Sequence, residues 1–355
     1  MRRTSGARQL ATTKSKVSQM NPIDVTTTTL DRGYAEMPIP FGWFAIALSH
    51  EISNGQIVTM KYFGTEFVVW RGGDGVLRAV DPFCPHLGAH LGVASDVVGN
   101  DLRCPYHHWQ FNGEGGVTKI PYTDVISPSM KRSCLPTWPI EEVDGVVYAW
   151  FHPKKAAPKW EIARLPECPN GDWVLARSKQ WIVNVHCREI PENGQDYAHF
   201  GAVHGVPSSP STEFDVEGWT RHNKVVADMN TPKGLMKGRI EVTATGPGQS
   251  MVEYEDVTHV IQSQQVTPID AQTTHVRWQL YHIPGLSEGK LRVTQARMRD
   301  LIKQIEQDMP IWNNKLNLEK PLLVQGDGPI LAYRKNYDRY FDYSDDPEPA
   351  VVAAE

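Results

Sequence analysis

Between Phe41 and about His152, apolar residues come in short runs broken by Gly, Asp or Pro, among them Gln56–Tyr62, Glu66–Arg71, Leu77–Val80 and Val146–Phe151. Short β-prone runs closed by turn residues predict small sheets. Pro153 to Pro169 holds four prolines and the adjacent Lys154 and Lys155, which predicts a linker. Longer strands are predicted at Trp181–Glu189, Gly238–Ala244, Met251–Gln264 and His275–Ile283, with a helical and loop segment, Pro191–His204, after the first. Leu301, Ile305, Trp312 and Leu316 fall on one stripe at helical spacing and predict a long helix over Arg292–Leu318. The pattern is that of an α+β chain, with an all-β domain over 37–153 and a larger sheet with packed helices over 154–343.

Length and charge narrow this little further. A chain of 355 residues has room for about two domains, and a formal net charge of −5 gives no hint of nucleic acid or an anionic membrane surface as partner. The longest apolar stretch, near Ile39–Leu48, is interrupted by Pro40 and Gly42, so no membrane span is expected. Residues 1–36 are expected to form a disordered tail, with Arg2, Arg3, Arg8, Lys14 and Lys16 among Ser, Thr and Ala, and with Met20 as an alternative start. Residues 344–355 are expected to form an acidic tail. Five cysteines do not make a disulfide scaffold, and Cys134, Cys168 and Cys187 stand alone as ordinary thiols. A reducing, cytoplasmic setting is expected.

The other two cysteines carry chemistry. Cys84-Pro85-His86 and Cys104-Pro105-Tyr106-His107 give C-x-H and C-x-x-H with seventeen residues between them. Two thiolates and two imidazoles could hold zinc, but zinc motifs pair Cys with Cys and His with His along the chain. Here each half supplies one of each, which suits a [2Fe–2S] centre with both Cys on one iron and both His on the other. Pro82, Pro85, Gly88, Gly92, Pro105 and Gly113 supply tight turns around the ligands. His90 and His108 lie outside the spacing and read as surface or supporting residues.

A second constellation lies in Glu192-Asn193-Gly194-Gln195-Asp196-Tyr197-Ala198-His199, followed by His204. Asp196 and His199 share one helical face, whereas His204 lies about 140° further round. For both imidazoles to reach one metal the helix must end or distort between them, and Gly201 and Gly205 allow it. Two His and a carboxylate make the facial triad of non-haem iron oxygenases. Asp308 sits inside the apolar stripe of the long helix, while Asp300 and Glu306 point off it. A carboxylate in a core costs several kcal/mol unless a cation compensates, so Asp308 is the expected third ligand. Pro310 is expected to bend the helix there.

From about Phe41 to Tyr343 the chain resembles the Rieske non-haem iron oxygenases, and within them the branch of 3-ketosteroid 9α-hydroxylases and cholesterol 7-desaturases. The resemblance rests on Cys84-Pro-His-Leu-Gly-Ala, on Glu192-Asn-Gly-x-Asp-x-Ala-His-Phe with His204, on Glu306-Gln-Asp-Met-Pro-Ile-Trp-Asn-Asn-Lys, and on Asp327-Gly-Pro-Ile. It implies a Rieske domain followed by a helix-grip catalytic domain of antiparallel sheet and helices, assembled as a head-to-tail homotrimer. It also implies that Asn193 belongs to the catalytic site, and that Asp196 bridges His107 of one subunit to His199 of the next. His108 stands where the family usually has Gly.

No G-x-G-x-x-G follows a strand, so electrons from NAD(P)H are expected to arrive through a separate flavin and iron–sulfur reductase or a ferredoxin. The expected reaction is hydroxylation of a hydrophobic, steroid-like molecule with O2, with desaturation, or oxidation of an aromatic acid or methylated amine, as alternatives. An anionic substrate would need an arginine, and Arg239, Arg277 and Arg297 are the candidates.

Overall fold

The computed structural model describes residues 32–206, 211–231, 234–255 and 258–344, so the expected tails lie outside the described residues except for 32–36 and 344. The chain forms two compact units. The described part of the smaller is Ile52–Met60 with Phe67–Thr137; the larger takes residues 32–51, Lys61–Glu66 and Trp138 onward.

In the smaller unit, the β-branched runs pair as predicted. Ile57–Tyr62, Thr65–Arg71 and Leu77–Val80 form one antiparallel sheet, whose central hairpin tip belongs to the larger unit. Asp96–Val98, Asp101–Arg103, Gln110–Phe111 and Val117–Lys119 form a second sheet. Their shared core contains Val68, Trp70, Leu102, Phe111 and Leu135, and it also takes in Cys84, Cys104 and Trp109.

The larger unit is built on a seven-stranded antiparallel sheet. Its order is Val174–Val183, Thr274–His282, His259–Pro268, Gln249–Glu255, Gly234–Thr245, Thr220–Thr231, Ser211–Glu217. Two expectations change here. The run predicted as a strand over Trp181–Glu189 begins and ends earlier, at Val174–Val183; its first half is largely exposed and carries no apolar–polar alternation to mark it. The run Met251–Gln264 divides between two antiparallel strands, Gln249–Glu255 and His259–Pro268; the sequence between them has no Gly or Pro, so the break left no signal. Ser211–Glu217 and Thr220–Thr231 were not expected as strands.

The long helix covers Glu288–Trp312, opened by Ser287, whose Oγ accepts from Lys290 N–H. Pro310 lies in its last turn, and Arg32 satisfies the orphaned carbonyls of Trp312 and Asn313 at 3.3 and 2.8 Å. Met298, Leu301, Ile305 and Trp312 pack on Val252, Tyr254, Val276, Trp278 and Leu280 of the sheet. Leu316, expected on this stripe, lies beyond the helix and is exposed, because the helix stops before it.

A third sheet, Gly42–Leu48 with Val146–Phe151 and Ile140–Val143, belongs to the same unit. Its first strand slips register between Ala45 and Ala47. A bulge leaves backbone carbonyls without ladder partners. Arg277 supplies them: its guanidinium donates to Ala45 O and Ile46 O at 2.8 and 3.0 Å, and to Tyr62 Oη at 2.8 Å. Residues 153–169 hold no helix or strand, yet Ile162 is buried and Trp160 packs beside it.

Candidate metal centres

The first group of donors stands on two loops of matching construction. In one, Cys84 N–H donates to Ala89 O (2.9 Å) and Gly88 N–H to Cys84 O (2.9 Å). In the other, Cys104 N–H donates to Trp109 O (2.8 Å) and His108 N–H to Cys104 O (3.1 Å). Gly88 and His108 occupy the same place, and both have positive φ, +74° and +58°. Glycine adopts that conformation freely, while a histidine there is strained.

The loops bring like donors together. Burial, reinforced by the neighbouring Cys104, pushes the Cys84 thiol up to about 11. The imidazoles of His86 and His107 lie with ring centroids 4.6 Å apart. Around a single tetrahedral zinc all four donors would sit about 3.3–3.8 Å from one another. Among the described residues, no three of these four donors come within 4.8 Å of one another. Two thiols together and two imidazoles together, held apart as pairs, fit a two-iron cluster.

The second group sits in the larger unit. The chain passes through the helical turn Glu189–Glu192, the 3₁₀ turn Asn193–Gln195 and the helix Tyr197–Ala202. That last helix carries His199 and ends before His204, with Gly205 at φ +69°. The break demanded by the sequence spacing is there. The ligand atoms of His199, His204 and Asp308 all lie within 4.8 Å of one another. His204 Nε2 is 3.3 Å from Asp308 Oδ1, whose residue is buried in the last turns of the long helix. Three donors from two segments, one a buried carboxylate, fit a single divalent cation.

Hydrogen bonds fix the donors. His199 Nδ1–H bonds the main-chain carbonyl of Asp196, which leaves Nε2 as the acceptor of the ring. The Asp196 carboxylate does a different job, capping the helix by accepting from His199 N–H at 3.3 Å. Asn193 Nδ2 donates to Asp308 Oδ2 at 3.0 Å and to His199 Nε2 at 3.1 Å, so it touches two of the three donors. Gln307 Oε1 accepts from His204 Nδ1 at 3.2 Å. Sequence reasoning missed Gln307, whose signal was its place beside Asp308. Burial lowers the His199 pKa, partly opposed by the Asp196 carbonyl and by Asp308. For His204 burial acts the same way, but the Asp308 carboxylate and Gln307 outweigh it and the net shift is upward.

The turn before this site is clamped by buried ion pairs. Glu192 accepts two bonds from Arg334 at 2.7 and 2.8 Å, and Glu189 meets Lys315 at 2.6 Å and Arg188 at 3.0 Å. His90 accepts from Gly92 N–H, and His108 is exposed. The three arginines weighed as anion anchors are engaged elsewhere. Arg239 pairs with Glu241 on an exposed strand, Arg277 holds the bulge, and Arg297 pairs with Asp300 and lies over Tyr254.

Comparison with known proteins places the two groups of donors in two separate family matches. The Rieske [2Fe-2S] domain family matches residues 42–139, and the 3-ketosteroid 9α-hydroxylase C-terminal domain family matches residues 149–341, more than half of the chain. The chain is a Rieske oxygenase. This iron-dependent monooxygenase therefore works with a [2Fe–2S] cluster and a mononuclear iron, the two groups its donor sets fit. It is 30% identical over 325 residues to cholesterol 7-desaturase of Bombyx mori, spanning 86% of this chain and 70% of the relative. It is 29% identical over 352 residues to the probable oxygenase component of 3-ketosteroid-9-alpha-monooxygenase of Rhodococcus rhodochrous, spanning 91% of this chain and 85% of that one. Among solved structures, dicamba monooxygenase bound to dicamba superposes with a TM-score of 0.65 at 16% identity, over 84% of this chain and 96% of the other. NdmA of Pseudomonas putida gives 0.68 at 18%, over 88% and 96%. At such identities the Rieske oxygenase shares with them the fold alone. No helix among the described residues is long and apolar enough to cross a membrane.

Proposed function

We propose that this Rieske oxygenase is the terminal component of a steroid hydroxylase, with Cys84, His86, Cys104 and His107 holding the cluster and His199, His204 and Asp308 holding the iron. The observation that carries the reading is the convergence of His199, His204 and Asp308 at the end of a helix whose apolar face lies on the sheet. When bound, the cluster supplies electrons and the iron activates O2. In the net reaction one oxygen atom enters a C–H bond and the other leaves as water, with two electrons and two protons consumed.

The chain's own residues do the positioning. Asp196 O sets the tautomer of His199, Asn193 ties Asp308 to His199, and Gln307 holds His204. The helix packs on the sheet through an apolar core, relieved by Gln262 and Gln264, which accept from Tyr254 Oη and Trp278 Nε1 at 3.0 and 2.8 Å. A metal site bordering such a core suits a hydrophobic substrate with few polar groups. The engagement of Arg239, Arg277 and Arg297 speaks against an aromatic acid. The desaturase relatives favour a second reading, loss of two hydrogens from a sterol instead of hydroxylation.

The electron source is a separate reductase, and the working form is a cytoplasmic head-to-tail homotrimer in which Asp196 links His107 of one subunit to His199 of its neighbour. Two exposed apolar rims support this assembly. Phe83, Leu87 and Tyr106 stand on or beside the cysteine loops, and Ile311, in the last turn of the helix that carries Asp308, is followed by Leu318 and Leu322. Different patches meeting head to tail close into a ring when the rotation from subunit to subunit is one third of a turn.

The test is a single turnover of reduced, iron-replete protein with 3-ketosteroids, sterols, aromatic acids and methylated amines. Oxidised steroid as the product supports the reading and identifies the carbon attacked. Turnover of an aromatic acid or methylated amine alone would overturn the substrate class while leaving the metal chemistry intact.

A further inference from the structure

The matching of the two cysteine loops isolates one side chain that loop construction does not require. Each loop is closed by the cysteine N–H donating to a carbonyl five residues on; in one loop that residue is Ala89, in the other Trp109. An alanine suffices for the closure, so the indole answers to something else. It lies against the other loop's imidazole: the Trp109 and His86 rings are nearly parallel, 9° apart in plane, with centroids 4.5 Å apart. Trp109 is 9% exposed, and its Nε1–H is held by Tyr122 Oη at 2.7 Å. His107 is treated differently. Its aromatic neighbour, Tyr106, is tilted by 43° at 3.9 Å and is 63% exposed.

We infer that Trp109 is a positioning residue for the cluster: its indole fixes the ring plane of His86 and keeps water from that edge, leaving His107 as the edge through which electrons pass. The inference rests on the reading of His86 and His107 as cluster ligands. Tyr122 is the anchor of the indole, fixing it from an exposed position. A hydrophobic cover over one edge of a metal site lowers the local dielectric and so governs the reduction potential and the hold on the metal.

The test compares the purified, cluster-loaded wild type with Trp109→Ala, Trp109→Leu, Trp109→Phe and Tyr122→Phe. Iron and sulfide content, the EPR g-values of the reduced cluster, its midpoint potential and the rate of iron release to a chelator are measured. In Trp109→Ala the potential rises, because water at the opened edge stabilises the more negatively charged reduced cluster. Its g-values shift, and iron release accelerates about tenfold. Trp109→Phe keeps an aromatic ring against His86 and returns these values most of the way to wild type. Tyr122→Phe shifts them in the direction of Trp109→Ala, by less. Trp109→Leu keeps an apolar side chain but no ring, so its g-values shift as in the alanine variant while its potential rises by less, and it decides the matter should the alanine variant not fold. Full cluster content with wild-type g-values and potential in Trp109→Leu would overturn the inference while the ligand reading stands. A wild type without a Rieske EPR signal would overturn both.

Discussion

Around Cys84 and Cys104 the donors stand within a few residues of one another, on two loops closed by the same pair of hydrogen bonds. The donors of the second centre are gathered from afar: Asp308 of the long helix joins His199 and His204, and Asn193 bonds it across 115 positions of sequence. The first centre is thus shaped mainly by local turn chemistry, and the second by the docking of a long helix on a sheet. Local construction tolerates distant change, whereas the assembled site depends on every element that carries it. The buried pairs Glu192–Arg334 and Glu189–Lys315 show how that dependence is managed, by clamping the turn that leads into Asn193.

The comparison breaks most sharply at Asp308. Asp308→Asn is expected to abolish turnover and mononuclear iron binding while the visible spectrum of the cluster persists. Iron and sulfide analysis beside a steroid turnover assay checks this, and retained iron would remove Asp308 from the ligand set.

Asp196 comes next, since its carboxylate caps a helix and its carbonyl orients His199. Asparagine caps a helix as well as aspartate does, whereas alanine forfeits about 1 kcal/mol. Asp196→Asn should therefore keep thermal stability and both metals yet lose most turnover if the negative charge is what links the subunits. Wild-type turnover in Asp196→Asn would reduce the carboxylate to a cap.

A smaller effect separates a structural imidazole from the metal-facing ones. His186 Nδ1 accepts from Arg188 N–H at 3.1 Å and Nε2 bonds Pro38 O at 3.1 Å. Burial, against the pull of Pro38 O, lowers its pKa from 6.5 to about 4. The unfolded chain then binds the extra proton first, so stability from this group is complete above pH 6.5 and is lost as pH falls toward 4. Denaturant titrations across that window should show a loss of a few kcal/mol at most, reduced in His186→Gln. An identical pH slope in the variant would assign the loss to other groups.

The smallest change completes the match between the cysteine loops. His108→Gly removes the strain at φ +58° and should stabilise the protein by about 0.5–1 kcal/mol, read as a rise in thermal midpoint. A fall would show that the exposed imidazole makes a contact worth more than the strain.

Much of this was legible in the residue pattern. The short strands of the smaller unit, the seating of Asp308 in the apolar stripe and the break between His199 and His204 all follow from periodicity and turn residues, which act over a few positions. Less was legible in the larger sheet. Half-exposed strands such as Val174–Val183 carry little alternation, and no Gly or Pro in the sequence marks the break between Gln249–Glu255 and His259–Pro268.

The sequence by itself determined the donor types, their spacing and the elements that carry them, because covalent connectivity and local conformational preference set those. Only the tertiary structure decided which atoms do the work. It decided that the carbonyl of Asp196 and not its carboxylate meets the His199 ring, that Gln307 supports His204, that Arg277 holds a bulge, and that Trp109 lies on His86. Each of these depends on side-chain direction and on partners remote in the chain or across a turn. Packing selects one partner among several of equal local plausibility, and spacing along a chain carries no record of that choice.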